Sequence, residues 1–331
     1  MQMENYNKIL GCLTGIAIGD ALGMPTEFMT PKRINQTYGY INDFNVPSSD
    51  HIHPDMKKGE ITDDTGQTLA LVEEILRRKE INIQVAATGL INWANDKDVF
   101  NSTFLGPSSK KALQKLINGN NPKETGKSGT TVGAAMRAPV AGIFNPGNID
   151  KAINDAVAIS IPTHNTSIAI SGATSIAAAI AESFKSDSKI DDVIDKAIYG
   201  AEKGLEFGFP YPGASIARRI ELGIDLISGI EDTDKAALKL YDYIGVDMFP
   251  HEVVPFVISL FSISKKDKMK VILSAVNIGG DSDTIAALLG ALIGAFYGYK
   301  YLPNKMREKI EKVNKIDLDF YSRNICNLNL K

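Results

Sequence analysis

Glycine recurs at every fourth position in an apolar segment near the start of the chain, at Gly11, Gly15 and Gly19. Residues four apart lie on the same face of a helix, so these glycines would form a stripe without side chains. A second helix can approach such a stripe closely. Small residues follow a similar pattern in residues 171–179. We therefore predict that both segments are central helices packed at short range.

Helical spacing of Ala, Leu, Ile and Glu extends over much of the chain, including residues 69–78, 168–184, 216–227 and 285–296. Alternating strand patterns are scarce, and no β-α-β rhythm with Gly-rich turns is present. The sequence thus predicts an all-α protein.

Two irregular stretches, residues 30–60 and residues 118–131, interrupt the helical pattern. The first contains Pro31, Pro47 and Pro54, so it cannot be one regular element and is predicted to be a long excursion. Neither stretch has the composition of a flexible linker. We therefore predict a single domain that spans residues 1–331.

The composition excludes several classes of protein. With 44% apolar and 23% charged residues among 331, the chain can bury a large core. Charges of both signs are intermixed and sum to -3, so nucleic acid is not expected as the main partner. Cys12 and Cys326 lie at opposite ends of the sequence and cannot build a disulfide framework or a Cys-based zinc site.

The apolar residues 9–24 suggest a signal peptide, but Asp20 interrupts them. The later apolar run, residues 285–297, is too short to span a bilayer. Together with the scarcity of cysteine, this predicts a cytoplasmic protein that does not associate with a membrane. We also expect a monomer.

Two acidic clusters precede predicted helices far apart in the sequence: Thr62-Asp63-Asp64-Thr65 and Asp281-Ser282-Asp283-Thr284. Thr, Ser and Asp are common helix caps, and negative charge there complements the helix dipole, so capping would explain one such cluster. Two clusters, each denser in carboxylate than capping requires, indicate ligands for hard divalent cations such as Mg²⁺ or Mn²⁺. If the two helix starts face each other, they form a two-metal site.

An EF-hand is excluded, because positions six and twelve counted from Asp281 are Ala286 and Leu292, where Gly and Glu are needed. A third acidic position, Glu27, follows the Gly and Pro that end the first helix. Taken alone, a solvated loop glutamate is the better interpretation of Glu27.

In their order, these motifs resemble the ADP-ribosylglycohydrolase family, which includes the dinitrogenase reductase-activating glycohydrolases and the ADP-ribosyl-acceptor hydrolases. Residues 11–27 resemble the family's first helix and its acidic residue, and the two acidic clusters resemble its metal-binding triplets. Between them, Gly133-Ala134-Ala135-Met136-Arg137 is similar to the family's phosphate-side and ribose-side segment. Pro162-Thr163-His164 is similar to its central histidine motif. The resemblance extends from about residue 8 to about residue 300.

The resemblance implies an all-α, single-domain orthogonal helical bundle with a central cleft for two Mg²⁺ ions, or Mn²⁺. The implied metal ligands are Thr62, Asp63, Asp64, Asp281, Asp283 and Thr284. The implied catalytic residues are Glu27, which sits on a movable flap in some relatives, and Asp63, Asp64 and Asp283. Substrate contacts would come from Gly129, Gly133, Ala134, Met136 and His164.

The implied activity is hydrolysis of the glycosidic bond of an ADP-ribosyl group on a protein side chain or a small molecule. Such a bond breaks through an oxocarbenium-like state, and metals that clamp the ribose hydroxyls would also lower the pKa of a water. Two alternatives are hydrolysis of a smaller riboside or nucleoside-related metabolite, and a non-catalytic ADP-ribose-binding protein. The intact acidic clusters argue against lost catalysis, because clustered charge is costly to keep.

Two segments depart from the family pattern and leave the acceptor open. Residues 126–132 differ from the shorter Gly-Asn-Gly approach of many relatives, and residues 101–108 look closer to a bacterial branch of unsettled substrate. Arg137 has two interpretations, pairing with a phosphate or pairing with an acid in the core.

The excursion of residues 30–60 raises two further predictions. Its early part is predicted to act as a lid, because it joins Glu27 to the first acidic cluster. His51 and His53 have no carboxylate or Cys partner at metal spacing, so they are predicted to lie at the surface.

Overall fold

The computed structural model describes residues 2–97, 99–101 and 105–328. Over these residues the chain forms α-helices and short 3₁₀ turns, and its β-type pairing is limited to an isolated bridge between Thr166 and Phe209. The prediction of an all-α fold is confirmed. The α-helices are α1 (Gln2–Gly23), α2 (Pro31–Tyr38), α3 (Asp63–Arg78), α4 (Ile83–Asp96), α5 (Pro107–Ile117), α6 (Pro122–Thr125), α7 (Gly133–Arg137), α8 (Pro139–Phe144), α9 (Ile149–Ser160), α10 (Ser167–Glu182), α11 (Ile190–Gly204), α12 (Ile216–Ile227), α13 (Thr233–Tyr243), α14 (Pro250–Phe261), α15 (Lys268–Val276), α16 (Ser282–Tyr297), α17 (Asn304–Asn314) and α18 (Leu318–Asn327).

Helices α1 and α16 run antiparallel and touch through their backbones. A Cβ atom added to Gly15 would lie 1.9 Å from the carbonyl oxygen of Gly290, and one added to Gly11 would lie 2.3 Å from that of Gly294. No side chain fits in these gaps, because protein interiors are already close-packed. The predicted central position of the glycine stripe is confirmed.

Helix α10 is the second central helix, and each of its residues is buried. It packs against α9 and α11. Gly200 of α11 makes the approach possible, since a Cβ there would lie 2.4 Å from the carbonyl oxygen of Thr174. The small residues of this segment therefore serve the purpose that the sequence predicts.

The excursion of residues 30–60 contains one helix, α2, whose first turn is capped by the Thr30 hydroxyl. After α2 the chain has no further α-helix until α3. Ile41, Phe44 and Met56 are buried, so this part of the chain is anchored on the core by apolar side chains. The excursion is irregular, as predicted, and its buried apolar side chains pack it against the core.

By length and composition alone, the segment Met3–Thr26 could cross a membrane, because an 18-residue window within it has a mean hydropathy of 1.4. That 18-residue window is entirely buried inside the fold. Core helices of soluble proteins show this pattern, so the hydropathy of α1 is explained by its packing.

We predict that Gly15→Ala destabilises the fold by roughly 3 kcal/mol or more, because its Cβ must displace the α16 backbone. Gly106→Ala is the matched control, since no atom of the described residues lies within 4 Å of a Cβ at that position. Chemical denaturation measures the free energy of unfolding of both variants. Equal stability of the two would contradict the packing described above.

Candidate metal and substrate site

The end of α1 meets the beginning of α16 because the two helices are antiparallel. A Cβ at Gly23 would lie 2.3 Å from the carbonyl oxygen of Ser282. The Ser282 hydroxyl donates a hydrogen bond of 3.0 Å to the Gly23 carbonyl, and the Thr26 hydroxyl lies 2.9 Å from Ser282 Oγ. Glu27, which follows directly, is thereby held next to the first turn of α16.

Asp20, near the end of α1, holds the first turn of α3. Its carboxylate oxygens lie 2.9 and 3.1 Å from the backbone nitrogen of Thr62, and Oδ2 accepts hydrogen bonds from the backbone N–H and hydroxyl of Thr65. Burial raises the pKa of Asp20 to about 6, although the hydrogen bonds from Thr65 and Thr62 oppose that rise. The start of α3 is therefore fixed to the same end of α1 as the start of α16.

The two acidic helix starts face each other. The Thr62 hydroxyl donates to Asp283 Oδ2 across 3.4 Å, and the Thr284 hydroxyl donates to Asp64 Oδ2 across 3.3 Å. Asp63 also borders the cleft between them, and its Oδ2 accepts a hydrogen bond of 2.8 Å from Gln67 Nε2. The structure thus brings together two clusters that are more than 200 residues apart in sequence.

The loop before α16 joins Glu27 to the second cluster. Gly279 and Gly280 have φ angles of +78° and +67°, which glycine adopts without strain. The Gly280 carbonyl accepts a hydrogen bond of 2.7 Å from Phe28 N, and its N–H donates to the Met29 carbonyl. Phe28 itself has a φ of +56°, which is uncommon for an aromatic residue, so the backbone beside Glu27 is strained.

The donor set fits hard divalent cations. One carboxylate oxygen from each of Glu27, Asp281 and Asp283 lies within 4.8 Å of the others. Among the described residues no donor reaches Asp64 Oδ1 or Asp283 Oδ1, although both atoms are buried. Buried carboxylate oxygens without partners are costly unless a cation balances them. The cluster could therefore bind metal, and oxygen donors of this kind suit Mg²⁺ or Mn²⁺.

The carboxylates also repel one another. Burial raises the pKa of Asp64 well above its ordinary value, and the charges of Asp283 and Asp63 raise it further. Burial and the Asp281 charge act in the same way on the pKa of Asp283. For Glu27, burial is again the largest cause of a raised pKa, followed by the charge of Asp283.

The predicted surface position of His51 and His53 is wrong. Both are buried, and His53 Nε2 lies 3.4 Å from Glu27 Oε2. His51 Nδ1 accepts a hydrogen bond from the His53 backbone at 3.1 Å. Burial lowers the pKa of His53 to about 4, with His51 adding to the effect. The excursion folds back over Glu27 because its apolar anchors hold it on the core, which the local sequence does not reveal.

The predicted substrate contacts fall into two groups. Gly133 and Met136 line the cleft, together with Thr131 and Met248. Gly129, Ala134 and His164 are buried and do not line it. A Cβ at Gly129 would lie 2.1 Å from the Thr163 carbonyl oxygen, so this glycine is required by packing against the histidine segment.

Arg137 is fully buried, and neither predicted interpretation describes its hydrogen bonds. It donates to Gln67 Oε1 at 2.8 Å and to Thr163 Oγ1 at 2.6 Å. Burial lowers the pKa of Arg137 to about 10, while the charges of Asp63 and Asp64 oppose that change. The positive charge of Arg137 therefore lies close to the acidic cluster, and the side chain of Gln67 bridges Arg137 and Asp63.

A family model described as ADP-ribosylglycohydrolase matches residues 1–327. The chain belongs to the ADP-ribosylglycohydrolase family.

The relatives of this family member include the uncharacterized protein YegU of Escherichia coli K12. It is 31% identical to this chain over 318 residues, and the matched region covers 95% of each of the two chains. The ADP-ribosyl-[dinitrogen reductase] glycohydrolase of Rhodospirillum rubrum is 25% identical over 321 residues, which cover 92% of this chain and 91% of the relative. A solved structure described as an ADP-ribosylglycohydrolase-related protein complex has a similar fold, with a TM-score of 0.73 at 19% identity and coverage of 98% and 99%.

Membership in the ADP-ribosylglycohydrolase family indicates an ADP-ribosyl hydrolase activity. Residues 101–108 are one of the two segments that depart from the family pattern. Within them, residues 102–104 and the side chain of Asn101 lie outside the described residues. The remaining part begins α5, with Gly106 and Pro107 bordering the cleft.

We predict that the metal-free protein loses stability as the pH rises above about 6.5. Glu27, Asp63, Asp64 and Asp283 have raised pKa values, so the folded state binds more protons than the unfolded state, and this stability disappears as pH rises through the folded pKa. The buried histidines have lowered pKa values and contribute a constant amount above about pH 6.5, where neither state holds their proton.

Thermal melting across this range, with and without Mn²⁺, checks the prediction. Mn²⁺ should flatten the decline because it binds the folded state, and Asp283→Asn should reduce its slope. A melting temperature of the metal-free protein that is constant or rises with pH would contradict the assigned electrostatics.

Proposed function

We propose that this protein is a metal-dependent hydrolase that cleaves the N- or O-glycosidic bond between an ADP-ribosyl group and a protein side chain or small molecule. The facing acidic helix starts, with buried carboxylate oxygens that lack donors among the described residues, are the observation that carries the proposal. The Rhodospirillum rubrum relative is described as acting on ADP-ribosylated dinitrogen reductase, which supports a protein acceptor.

Six side chains would hold two divalent cations, Mg²⁺ or Mn²⁺: Thr62, Asp63, Asp64, Asp281, Asp283 and Thr284. When bound, the cations supply Lewis-acid chemistry that orients the ribose hydroxyls and makes a water acidic enough to react at neutral pH. The chain fixes this geometry through Asp20 on one side and the Gly23–Ser282 contact on the other.

Glu27 is the carboxylate best placed to move a proton. Its Oε2 atom is buried and accepts no hydrogen bond from the described residues. Burial, followed by the charge of Asp283, raises the pKa of Glu27 well above its ordinary value, which favours a carboxyl that can hold and release a proton. Asp63 is less suited, since Gln67 already donates to its Oδ2. Asp64 and Asp283 would be engaged with the cations, which makes them weak free bases.

The cleft must open to admit a ribosyl group. Its volume is about 70 Å³, which is room for about two waters, whereas ligand pockets usually measure roughly 300–1,000 Å³. Phe28 forms an exposed part of the wall next to Glu27. The small volume of the cleft supports the proposal that the segment from Glu27 into the excursion moves to admit substrate. The contact between His53 and Glu27 would belong to the closed position of that segment.

The small cleft also favours a second candidate function, hydrolysis of a smaller riboside. Calorimetry with ADP-ribose and with ribose 5-phosphate, each with Mg²⁺, separates the two. If ribose 5-phosphate binds tightly and ADP-ribose binds no more tightly, the result would favour the smaller substrate.

We predict that the wild type releases ADP-ribose from an ADP-ribosylated arginine or serine substrate and that Asp283→Ala lowers the rate by roughly a hundredfold or more. Asp187→Ala is the control, since this aspartate is exposed and distant in sequence from both clusters. Release is measured by chromatography with Mg²⁺ and with EDTA. Equal rates for wild type and Asp283→Ala would refute the proposal.

We predict that ADP-ribose with Mg²⁺ protects backbone amides in residues 28–56 from hydrogen exchange, because the segment closes over the bound ligand. His53→Ala should reduce that protection, since it removes the contact with Glu27. Mass spectrometry of peptic fragments provides the measurement. An identical exchange pattern with and without the ligand would count against a lid.

A further inference from the structure

A second cavity lies beside the cleft and is much larger. Its volume is about 860 Å³, compared with about 70 Å³ for the cleft, and it falls within the range of roughly 300–1,000 Å³ that is usual for ligand pockets. Parts of residues 63–77 in α3, 89–96 in α4 and 313–316 at the end of α17 line it. We name this cavity the side groove.

The side groove begins at the metal site. Asp63 borders both the cleft and the side groove, and Thr62 lines the side groove as well. Both residues are among the six that would hold the cations. A molecule bound at the cations can therefore extend along α3 without leaving the protein surface.

The walls of the side groove are held in place by close contacts between α3 and α4. A Cβ added to Gly66 would lie 2.7 Å from Trp93 Nε1, and one added to Gly89 would lie 3.1 Å from the Ala70 carbonyl oxygen. Trp93 is 7% exposed and lines the groove. Packing this close leaves the two helices little freedom to shift, so the side groove is a fixed feature of the fold.

The length of the side groove suits a segment of polypeptide chain. From Asp63 to Arg77, both of which line the groove, α3 rises about 21 Å. An extended peptide rises about 3.3 Å per residue, so about six residues span this length. A single modified amino acid would occupy only the end next to Asp63.

Two asparagines of α4 offer hydrogen bonds along the side groove. Asn92 and Asn95 are exposed, line the groove and lie on the same face of α4, since they are three positions apart. Their side-chain amides have no hydrogen-bond partner among the described residues. Each amide both donates and accepts, which matches the N–H and C=O groups that an extended peptide leaves unpaired.

The lining of the side groove carries an excess of acids. Among the described residues, the acidic side chains are Glu60, Asp63, Glu73, Glu74 and Asp96, and the basic ones are Arg77, Lys97 and Lys315. Glu74 already pairs with Arg77. Glu73 is exposed, and the Tyr321 hydroxyl donates to its Oε1, so Oε2 is left to face a cation. An acidic lining favours a basic partner.

We propose that the side groove binds an extended, basic segment of the acceptor protein, next to the residue that carries the ADP-ribosyl group. Asn92 and Asn95 hold the backbone of that segment, and Glu73 pairs with a Lys or Arg side chain. On α3, Glu73 lies about 15 Å beyond Asp63, so the basic residue stands about four or five positions from the modified one. The inference rests on the proposed function, which supplies the ADP-ribosyl group at the metal end.

Peptide binding is measured first without catalysis, through the fluorescence of Trp93, the sole tryptophan of the chain. The probe is an unmodified peptide of about eleven residues, made of Gly and Ser apart from a central Arg and a Lys about four positions away on each side. This lysine peptide is compared with a glutamate peptide, in which Glu replaces both Lys residues.

Two variants test the groove: the double variant Asn92→Ala with Asn95→Ala, and Glu73→Gln, whose amide oxygen still accepts from Tyr321. Asn154→Ala is the matched control, because this asparagine of α9 is exposed and lines neither cavity.

We expect the lysine peptide to change the Trp93 fluorescence in a saturable way and to bind the wild type more tightly than the glutamate peptide does. The double asparagine variant should bind the lysine peptide roughly tenfold more weakly, because hydrogen bonds to the peptide backbone are lost. Glu73→Gln should weaken binding roughly twofold to fivefold, as the loss of one exposed ion pair implies, and should narrow the preference for lysine over glutamate. Asn154→Ala should match the wild type.

The second measurement compares two substrates that carry ADP-ribose on the same residue type, arginine or serine. One is the lysine peptide with that residue at its centre, and the other is the modified amino acid alone. The wild type should have the higher kcat/KM for the peptide, and this advantage should shrink roughly tenfold in the double asparagine variant. A purely structural role of the asparagines would lower both values together and leave their ratio unchanged.

An absence of saturable peptide binding, equal binding of the lysine and glutamate peptides, or an unchanged kcat/KM ratio in the double asparagine variant would overturn the proposal. Release of ADP-ribose from the single amino acid without peptide binding would contradict the role of the side groove while the proposed activity stands. Binding of the lysine peptide that depends on Asn92 and Asn95, with no release from either substrate, would instead refute the proposed activity and keep the side groove as a peptide site.

Discussion

The backbone contact between α1 and α16 is the constraint on which the rest of the site depends. Glycine faces allow the two helices to lie so close that their relative position along the axis is fixed. Because the helices are antiparallel, that position places the end of α1 against the beginning of α16. Glu27, Asp281 and Asp283 are neighbours for this reason, although they come from opposite ends of the chain.

The same end of α1 also fixes α3, through the carboxylate of Asp20. Two helix N-termini therefore point into one cleft, and their dipoles partly offset the charge of the acids gathered there. The offset is incomplete, as the raised pKa values of Asp64 and Asp283 show. Arg137 adds a buried positive charge near the acids. It donates a hydrogen bond to Gln67, and Gln67 donates one to Asp63. The acidic charge of the site is therefore opposed by several helices together, and no single element supplies all of the opposing positive charge.

The helices, the glycine stripe and the two acidic clusters could be predicted from the sequence, because each is a local pattern of spacing or composition. That the clusters face each other could be inferred only from the family resemblance, since the register of α1 on α16 is a tertiary property. His53 was beyond local reasoning, because its burial depends on how Ile41, Phe44 and Met56 anchor the excursion. In the sequence, Asp20 is an interruption of an apolar segment, and the residues around it do not indicate that it holds the start of α3. A lone carboxylate inside a core helix is itself a signal, since it cannot be buried without partners.

The partnership of α1 with α16 also has a consequence for how the protein is made. The synthesis of α1 ends about 260 residues before that of α16 begins, an interval of roughly 13–50 s at ordinary elongation rates. During that time its glycine face has no backbone to pack against, and pairing so distant in sequence is slow to form. Until α16 has been made, α1 therefore lacks the partner that buries its glycine face in the folded protein.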